Sequence, residues 1–196
     1  MRSDVTFSHE DIVALLGELG DDLADKDLRA EMFIVGGAAM ALAYNTRRAT
    51  RDIDAVFEPK MAVYEAAKRL AARHNLPADW LNDAVKGLLP GKDPNARECF
   101  QSRGISVSVP SPHYLLALKV AAARVDRDAD DIRALATICG LTTAGAVLAV
   151  TEQVMGSRAN LLPKVRFLVE EMFPRCGALT RSGSRCKNPR GSCPHH

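Results

Sequence analysis

The feature that most constrains this chain is a short apolar run, Met32-Phe33-Ile34-Val35, broken by Gly36-Gly37 and followed by the helical composition of Ala38–Tyr44. Apolar residues in so short a run between turn signals suit a buried strand, so the order is strand, tight turn, helix. Ile53, Val56 and Phe57 make a second short strand closed by Pro59, and Lys60–His74, rich in Ala, Leu and Lys, favours helix. A βαβα beginning results, and the fold class it implies is α/β.

Upstream, Ser8 stands three residues before Asp11, the spacing of a capping box, and Ile12, Leu15, Leu16, Leu19 and Leu23 follow at helical intervals. Residues 1–31 are therefore expected to be a helical segment preceding a core over 32–111. Within that core, Trp80–Leu89 reads as a further short helix ended by Pro90-Gly91, and Gly104–Val109 alternates Ile, Val and Val against Ser106 and Ser108 as a half-buried strand does. A sheet of at least three strands is expected. From Pro112 the texture changes, with Tyr114–Arg124, Asp128–Cys139, Thr143–Met155 and Leu161–Met172 all reading as helices, a bundle over 112–174.

Length and charge set the outer limits. A chain of 196 residues, 47% hydrophobic and 26% charged, suffices for one compact core but not for two full-sized domains. The formal net charge of +2 is too small to make the whole surface attract nucleic acid, so a polyanion must find a local patch. Positive charge concentrates in residues 175–196, with five basic residues and no acid. No stretch reaches the roughly 20 apolar residues of a membrane helix, and the first residues lack a signal-peptide layout, so the compartment is read as cytoplasmic, with no membrane partner.

The most informative segment carries Gly36-Gly37 and then Arg48-Ala-Thr50-Arg51-Asp52-Ile53-Asp54. In an extended chain the side-chain period is two, so Asp52 and Asp54 share one face while Ile53 points to the core. Two aligned carboxylates make half of a site for a hard divalent cation such as Mg²⁺, which would offset their repulsion and accept triphosphate oxygens as well. Gly36 and Gly37, before a helix, let backbone N–H groups approach a phosphate closely. The plain alternative is a solvated Asp-x-Asp face. Arg47, Arg48 and Arg51 flank the acids, either neutralising them or attracting an RNA backbone. His9, His74 and His113 have no evident partner in the sequence.

Further on, Leu115-Leu-Ala-Leu-Lys119 leads through Arg124 to Arg127-Asp128-Ala-Asp-Asp131. Lys119 sits among apolar neighbours on a helix, so its ammonium is expected to meet an anion. Asp131 shares a helix face with Asp128 and is expected to pair with Arg124 or Arg127. Taken together, the glycine pair, the Arg-x-Thr-x-Asp-x-Asp stretch and the Leu-x-x-Lys helix leading to Arg-Asp-x-x-Asp resemble the minimal nucleotidyltransferases of the DNA polymerase β superfamily. The resemblance is to the AbiEii-like toxins, including the MenT-type group, over roughly residues 32–172.

That resemblance implies a small mixed nucleotidyltransferase-type sheet flanked by helices, then a helical bundle (α+β), and an Mg²⁺-dependent enzyme moving a nucleoside monophosphate from a triphosphate to an RNA 3′ end. The tRNA acceptor stem is the implied acceptor, its extension blocking aminoacylation, and a cognate antitoxin is the implied protein partner. Asp52 and Asp54 would hold Mg²⁺. Gly36, Gly37, Arg48 and Lys119 would bind phosphates, with Asp128 near the same site as an additional acid or base. Thr50 matches a hydroxyl residue that an antitoxin can phosphorylate. Fuller members carry a third acid on a later strand, where this chain offers Ser106 and Ser108. Either one metal suffices, or an acid elsewhere such as Asp128 completes the set. A catalytically silent module binding RNA or a partner protein is the other class of reading, and modification of a protein hydroxyl is a third.

The odd count of five cysteines, three of them close together near the C-terminus, does not make a disulfide framework. In residues 175–196, Cys176, Cys186, Cys193 and His196 supply three thiolates and an imidazole, a tetrahedral Zn²⁺ set, with His195 an alternative fourth ligand. So short a segment has no apolar core and would fold around the metal. The competing expectation is a basic tail with reduced thiols.

Overall fold

The computed structural model describes residues 5–44, 49–122, 125–156, 161–175 and 186, with backbone alone at 125 and 126. These residues divide into two compact units, Met1–Ser111 and Pro112–His196.

The first unit opens with α1 (His9–Ala24), capped as the sequence predicts: the Asp11 backbone N–H donates to Ser8 Oγ, and the Ser8 N–H donates to Asp11 Oδ2 at 2.9 Å. Then follow β1 (Ala30–Ile34), α2 (Gly36–Ala43), β2 (Ile53–Glu58), α3 (Lys60–His74), β3 (Leu81–Asn82), β4 (Arg97–Gln101) and β5 (Ile105–Val109). The strands form one mixed sheet in the order β3-β2-β1-β5-β4. β1 runs antiparallel to β2 and parallel to β5, while β2 is parallel to β3 and β4 antiparallel to β5.

Period-two alternation divides the sheet into two faces. Ala30, Met32 and Ile34, Ile53, Ala55 and Phe57, and Ile105, Val107 and Val109 are all buried on one face. Helices α1 and α3 close it: Phe57 meets Tyr64 of α3 edge-on with ring centroids 5.1 Å apart, and the Trp80 indole N–H donates to the Ala67 carbonyl at 3.1 Å. α1 approaches so closely that a Cβ on Gly104 would lie 2.0 Å from the Gly20 carbonyl oxygen. The other face carries Glu31, Phe33, Asp54, Val56, Glu58, Ser106 and Ser108, all half-buried or exposed.

Two expectations for this unit need correction. Trp80–Leu89 is not an α-helix; it holds the two-residue β3 and a single 3₁₀ turn over Ala84–Gly87. The Ile53 N–H donates to the Trp80 carbonyl at 2.7 Å, so pairing with β2 draws this segment into the sheet and a helix cannot start there. β4 was not legible, because its residues are mostly exposed and lack an apolar stripe. Two of the three histidines do have partners: His9 Nδ1 lies 3.1 Å from the Ala41 carbonyl, and His74 Nε2 lies 2.8 Å from Glu18.

The second unit contains α4 (Pro112–Ala122), α5 (Val125–Ile138), α6 (Ala144–Met155) and α7 (Pro163–Met172). α4 packs against α5 and α6, and α6 against α7. Thr143 caps α6, its hydroxyl accepting from the Ala146 N–H, and Pro163 occupies the first turn of α7, where its missing N–H costs nothing. Among the described residues, no helix is long and apolar enough to cross a membrane.

Candidate nucleotide site

The glycine pair is the first turn of α2 and not a loop preceding it. Val35 is the N-cap, and Gly36 has φ +66°, a conformation that other residues enter only with strain. The turn is pinned to β2, since the Val35 N–H donates to the Asp54 carbonyl at 2.9 Å. What faces the glycines explains why they carry no side chain. A Cβ on Gly36 would lie 3.3 Å from Asp54 Oδ2, and one on Gly37 would lie 2.6 Å from Thr50 Oγ1. Helix start and acid-bearing strand thus meet at van der Waals distance.

On β2 the neighbours of Ile53 behave as the alternation demands. Ile53 is fully buried, and Asp52 and Asp54 on either side of it are half-buried. β2 lies inside the sheet, with Asp54 in register opposite Asn82 of β3. Thr50 is buried at 8% exposure and bridges to Phe7: its N–H donates to the Phe7 carbonyl at 3.0 Å, and its hydroxyl donates to the Asp52 carbonyl at 3.1 Å. The residue singled out for phosphorylation therefore anchors the segment that presents Asp52. Arg51 is exposed. Arg47 and Arg48 lie outside the described residues.

The donor set suits a hard cation in kind: carboxylate oxygens of Asp54 on β2 and of Asp52 just before it, beside the glycine turn. Ser106 and Ser108 of β5 supply no third acid, and the Ser106 hydroxyl donates to Glu98 Oε2 at 2.6 Å. Among the described residues, no group of three or more His, Cys, Asp and Glu side chains is placed to share a metal ion.

A cavity of about 640 Å³ opens on the same sheet face as Asp54. Its floor includes Phe33, Val56, Glu31 and Glu58, and residues of the 89–96 segment, among them Leu89 and Lys92, form its wall. That segment is fastened by Asp93, whose Oδ2 accepts from the Ser111 N–H at 2.6 Å and Oδ1 from the Asn95 N–H at 3.0 Å. Sequence reasoning missed this cavity; paired acids at Glu31 and Glu58 become visible only once the β1–β2 register is known.

In the second unit Lys119 is 6% exposed and its ammonium meets two carboxylates, Asp128 Oδ1 at 2.6 Å and Asp131 Oδ2 at 2.7 Å. The anion expected for this lysine is supplied by its own helix neighbours. Asp131, expected against an arginine, pairs with Lys119. Arg124 lies outside the described residues, as do Cys176, Cys193, His195 and His196 of the zinc-type set, while Cys186 is buried.

A mixed sheet backed by helices, with a glycine-initiated helix set against an Asp-bearing strand, is a small nucleotidyltransferase-like α+β fold. The family described as "Nucleotidyltransferase of unknown function (DUF6036)" matches residues 11–141, more than half of the chain, and the protein belongs to that family. No curated protein and no solved structure matches it.

Proposed function

We propose that the protein transfers a nucleoside monophosphate from a nucleoside triphosphate to the 3′ end of an RNA. The acceptor hydroxyl oxygen bonds to the α-phosphorus, the bond from that phosphorus to the β-phosphate breaks, the hydroxyl proton leaves, and pyrophosphate departs. The observation that carries this reading is the close approach of the α2 start to the acid-bearing segment: a Cβ on Gly36 would lie 3.3 Å from Asp54 Oδ2, so backbone N–H groups and carboxylate stand side by side. N–H groups of the α2 start cradle phosphate oxygens, and Asp52 and Asp54 would hold Mg²⁺, which when bound offsets triphosphate charge. Catalysis of this kind is mostly positioning and charge stabilisation, and a rigid strand beside a pinned helix end suits both.

The finer reading follows the resemblance to AbiEii-like and MenT-type toxins: the acceptor is the tRNA 3′ end, aminoacylation is blocked, and a cognate antitoxin restrains the protein through Thr50. Phosphate there would bring about two negative charges beside Asp52 and Asp54. Because Thr50 is buried and its hydroxyl donates to the Asp52 carbonyl, modification requires that hydroxyl to be uncovered. For the basic tail we propose a Zn²⁺ site of Cys176, Cys186, Cys193 and His196; loss of one bound Zn²⁺ after Cys186→Ser, read by mass spectrometry under native conditions, is the expected result.

The absence of an acid at Ser106 and Ser108 favours a second reading, a catalytically silent module that binds RNA or a partner protein. One experiment separates them. Labelled triphosphates are incubated with the protein and total RNA, or with protein extract, and RNA 3′ ends are sequenced. Added nucleotides that disappear with Asp52→Ala support transfer to RNA, label in protein redirects the acceptor, and no label in either removes the enzymatic reading.

A further inference from the structure

We propose that the cavity on the outer sheet face receives the nucleobase of the substrate nucleotide, and that Glu31 and Glu58 select bases bearing an amine against uracil. The inference rests on the nucleotidyl-transfer reading and adds its base specificity. A volume of about 640 Å³ is ample for a nucleoside.

The register of β1 and β2 lays out the site. Phe33 stands opposite Val56, and Glu31 opposite Glu58, on the face that carries Asp54. From Asp54 to Glu58 is four residues of strand, about 13 Å. Along that line the surface runs from the acid beside the phosphate turn, over the apolar Phe33–Val56 rung, to two carboxylates. A nucleotide has the matching order: charged phosphates, flat rings, then a hydrogen-bonding edge.

Like charges directly opposed on adjacent strands destabilise a sheet, so placing Glu31 opposite Glu58 costs the fold stability. Glu58 is partly engaged, accepting from the Lys60 backbone N–H at 3.2 Å and lying 3.4 Å from Lys86 Nζ. The Glu31 side chain has no hydrogen bond or ion pair among the described residues, and it lines the cavity. An ionised carboxylate only accepts. Cytosine and adenine offer it an exocyclic amine, and guanine an amine beside a ring N–H. Uracil offers one N–H between two carbonyl oxygens, which the carboxylate repels. Lys92 of the wall is a donor suited to the ring nitrogen that adjoins the amine in cytosine and adenine.

The test titrates the full chain calorimetrically, in Mg²⁺ buffer, with α,β-methylene analogues of ATP, CTP, GTP and UTP. The UTP analogue is expected to bind about 10-fold or more weakly than the CTP analogue, the scale of one well-made base contact. Glu31→Gln gives the side chain a donor for the uracil carbonyl and removes the like-charge rung without altering an apolar contact, so it should narrow the gap severalfold by strengthening UTP binding. Equal binding of all four by the native protein, or a gap unchanged in Glu31→Gln, overturns the base assignment and leaves nucleotidyl transfer standing. Failure of every analogue to bind overturns both. Val56→Trp, which fills the floor, should weaken all four analogues about 10-fold with unchanged circular dichroism; undiminished binding by the folded variant would put the base elsewhere and overturn the proposal.

Discussion

Gly37 and Thr50 occupy one packing position between them: a Cβ on the glycine would stand 2.6 Å from the threonine hydroxyl oxygen and 3.1 Å from its Cβ. Thr50 cannot easily give way, being buried and hydrogen-bonded to the Asp52 carbonyl and, through its backbone, to Phe7. Gly37 is therefore a steric requirement of the acid-bearing segment, whatever else the glycine pair does.

Gly37→Ala should destabilise the first unit by about 1–3 kcal/mol, the usual cost of overpacking a filled site. Thr50→Ala removes the closer of the two clashing atoms, so the double variant should be less destabilised than the sum of the singles. Urea denaturation of the four proteins measures the coupling; strict additivity would show that the two residues do not compete for space.

Asp54→Asn keeps shape and hydrogen bonding on β2 but removes the charge facing the glycine turn. On the proposed reading, nucleotide transfer should drop by about 100-fold or more, the scale of losing one element of transition-state charge stabilisation, here a ligand that would hold Mg²⁺, with little change in thermal stability. Gel analysis of labelled RNA beside a melting curve reads both.

Lys119→Met tests the buried triad of the second unit. It leaves Asp128 and Asp131 without their ammonium at 11% and 2% side-chain exposure, and breaking a buried pair in this way costs about 3–5 kcal/mol. Adding Asp128→Asn and Asp131→Asn to Lys119→Met should restore much of that loss, because no uncompensated charge then stays buried. Equilibrium unfolding of the single and triple variants checks this.

Acid should loosen the contact between α1 and α3. Arg69 clamps Asp22 with two hydrogen bonds, at 3.0 and 2.5 Å, and these, ahead of the neighbouring Lys26, hold the Asp22 carboxyl down at about 2 from its ordinary 3.8. A depressed carboxylate contributes stability that is fully present above its unfolded value and is lost as pH falls toward the folded one. That contribution, reduced by solvent screening of the half-exposed Arg69, should thus fade between roughly pH 4 and pH 2, and Asp22→Asn should flatten that part of the stability curve. Urea midpoints measured across this range for both proteins give the comparison.

What could be read from the sequence was whatever depends on neighbours along the chain. Ser8 and Asp11 are three residues apart, so the capping box of α1 was legible. The apolar run into Gly36-Gly37 announced β1 and α2, and the alternation around Ile53 announced β2, because periods of 3.6 and two are local properties. β4 and β3 were not legible. Each depends on a partner strand far along the chain, which supplies the hydrogen bonds that an exposed or very short segment cannot call for by itself.

The same division runs through the candidate site. Asp52, Asp54 and the glycine pair were named from spacing alone, and so was the need of Lys119 for an anion. Which anion it meets in the fold was a matter of packing: α4 and α5 bring Asp128 and Asp131 to it, and a buried ammonium takes the nearest carboxylates. Likewise, nothing in the sequence sets Glu31 beside Glu58 or opens a cavity above Phe33. Strand register decides both, and register is fixed by hydrogen bonds and burial summed over the whole sheet, not by any single segment.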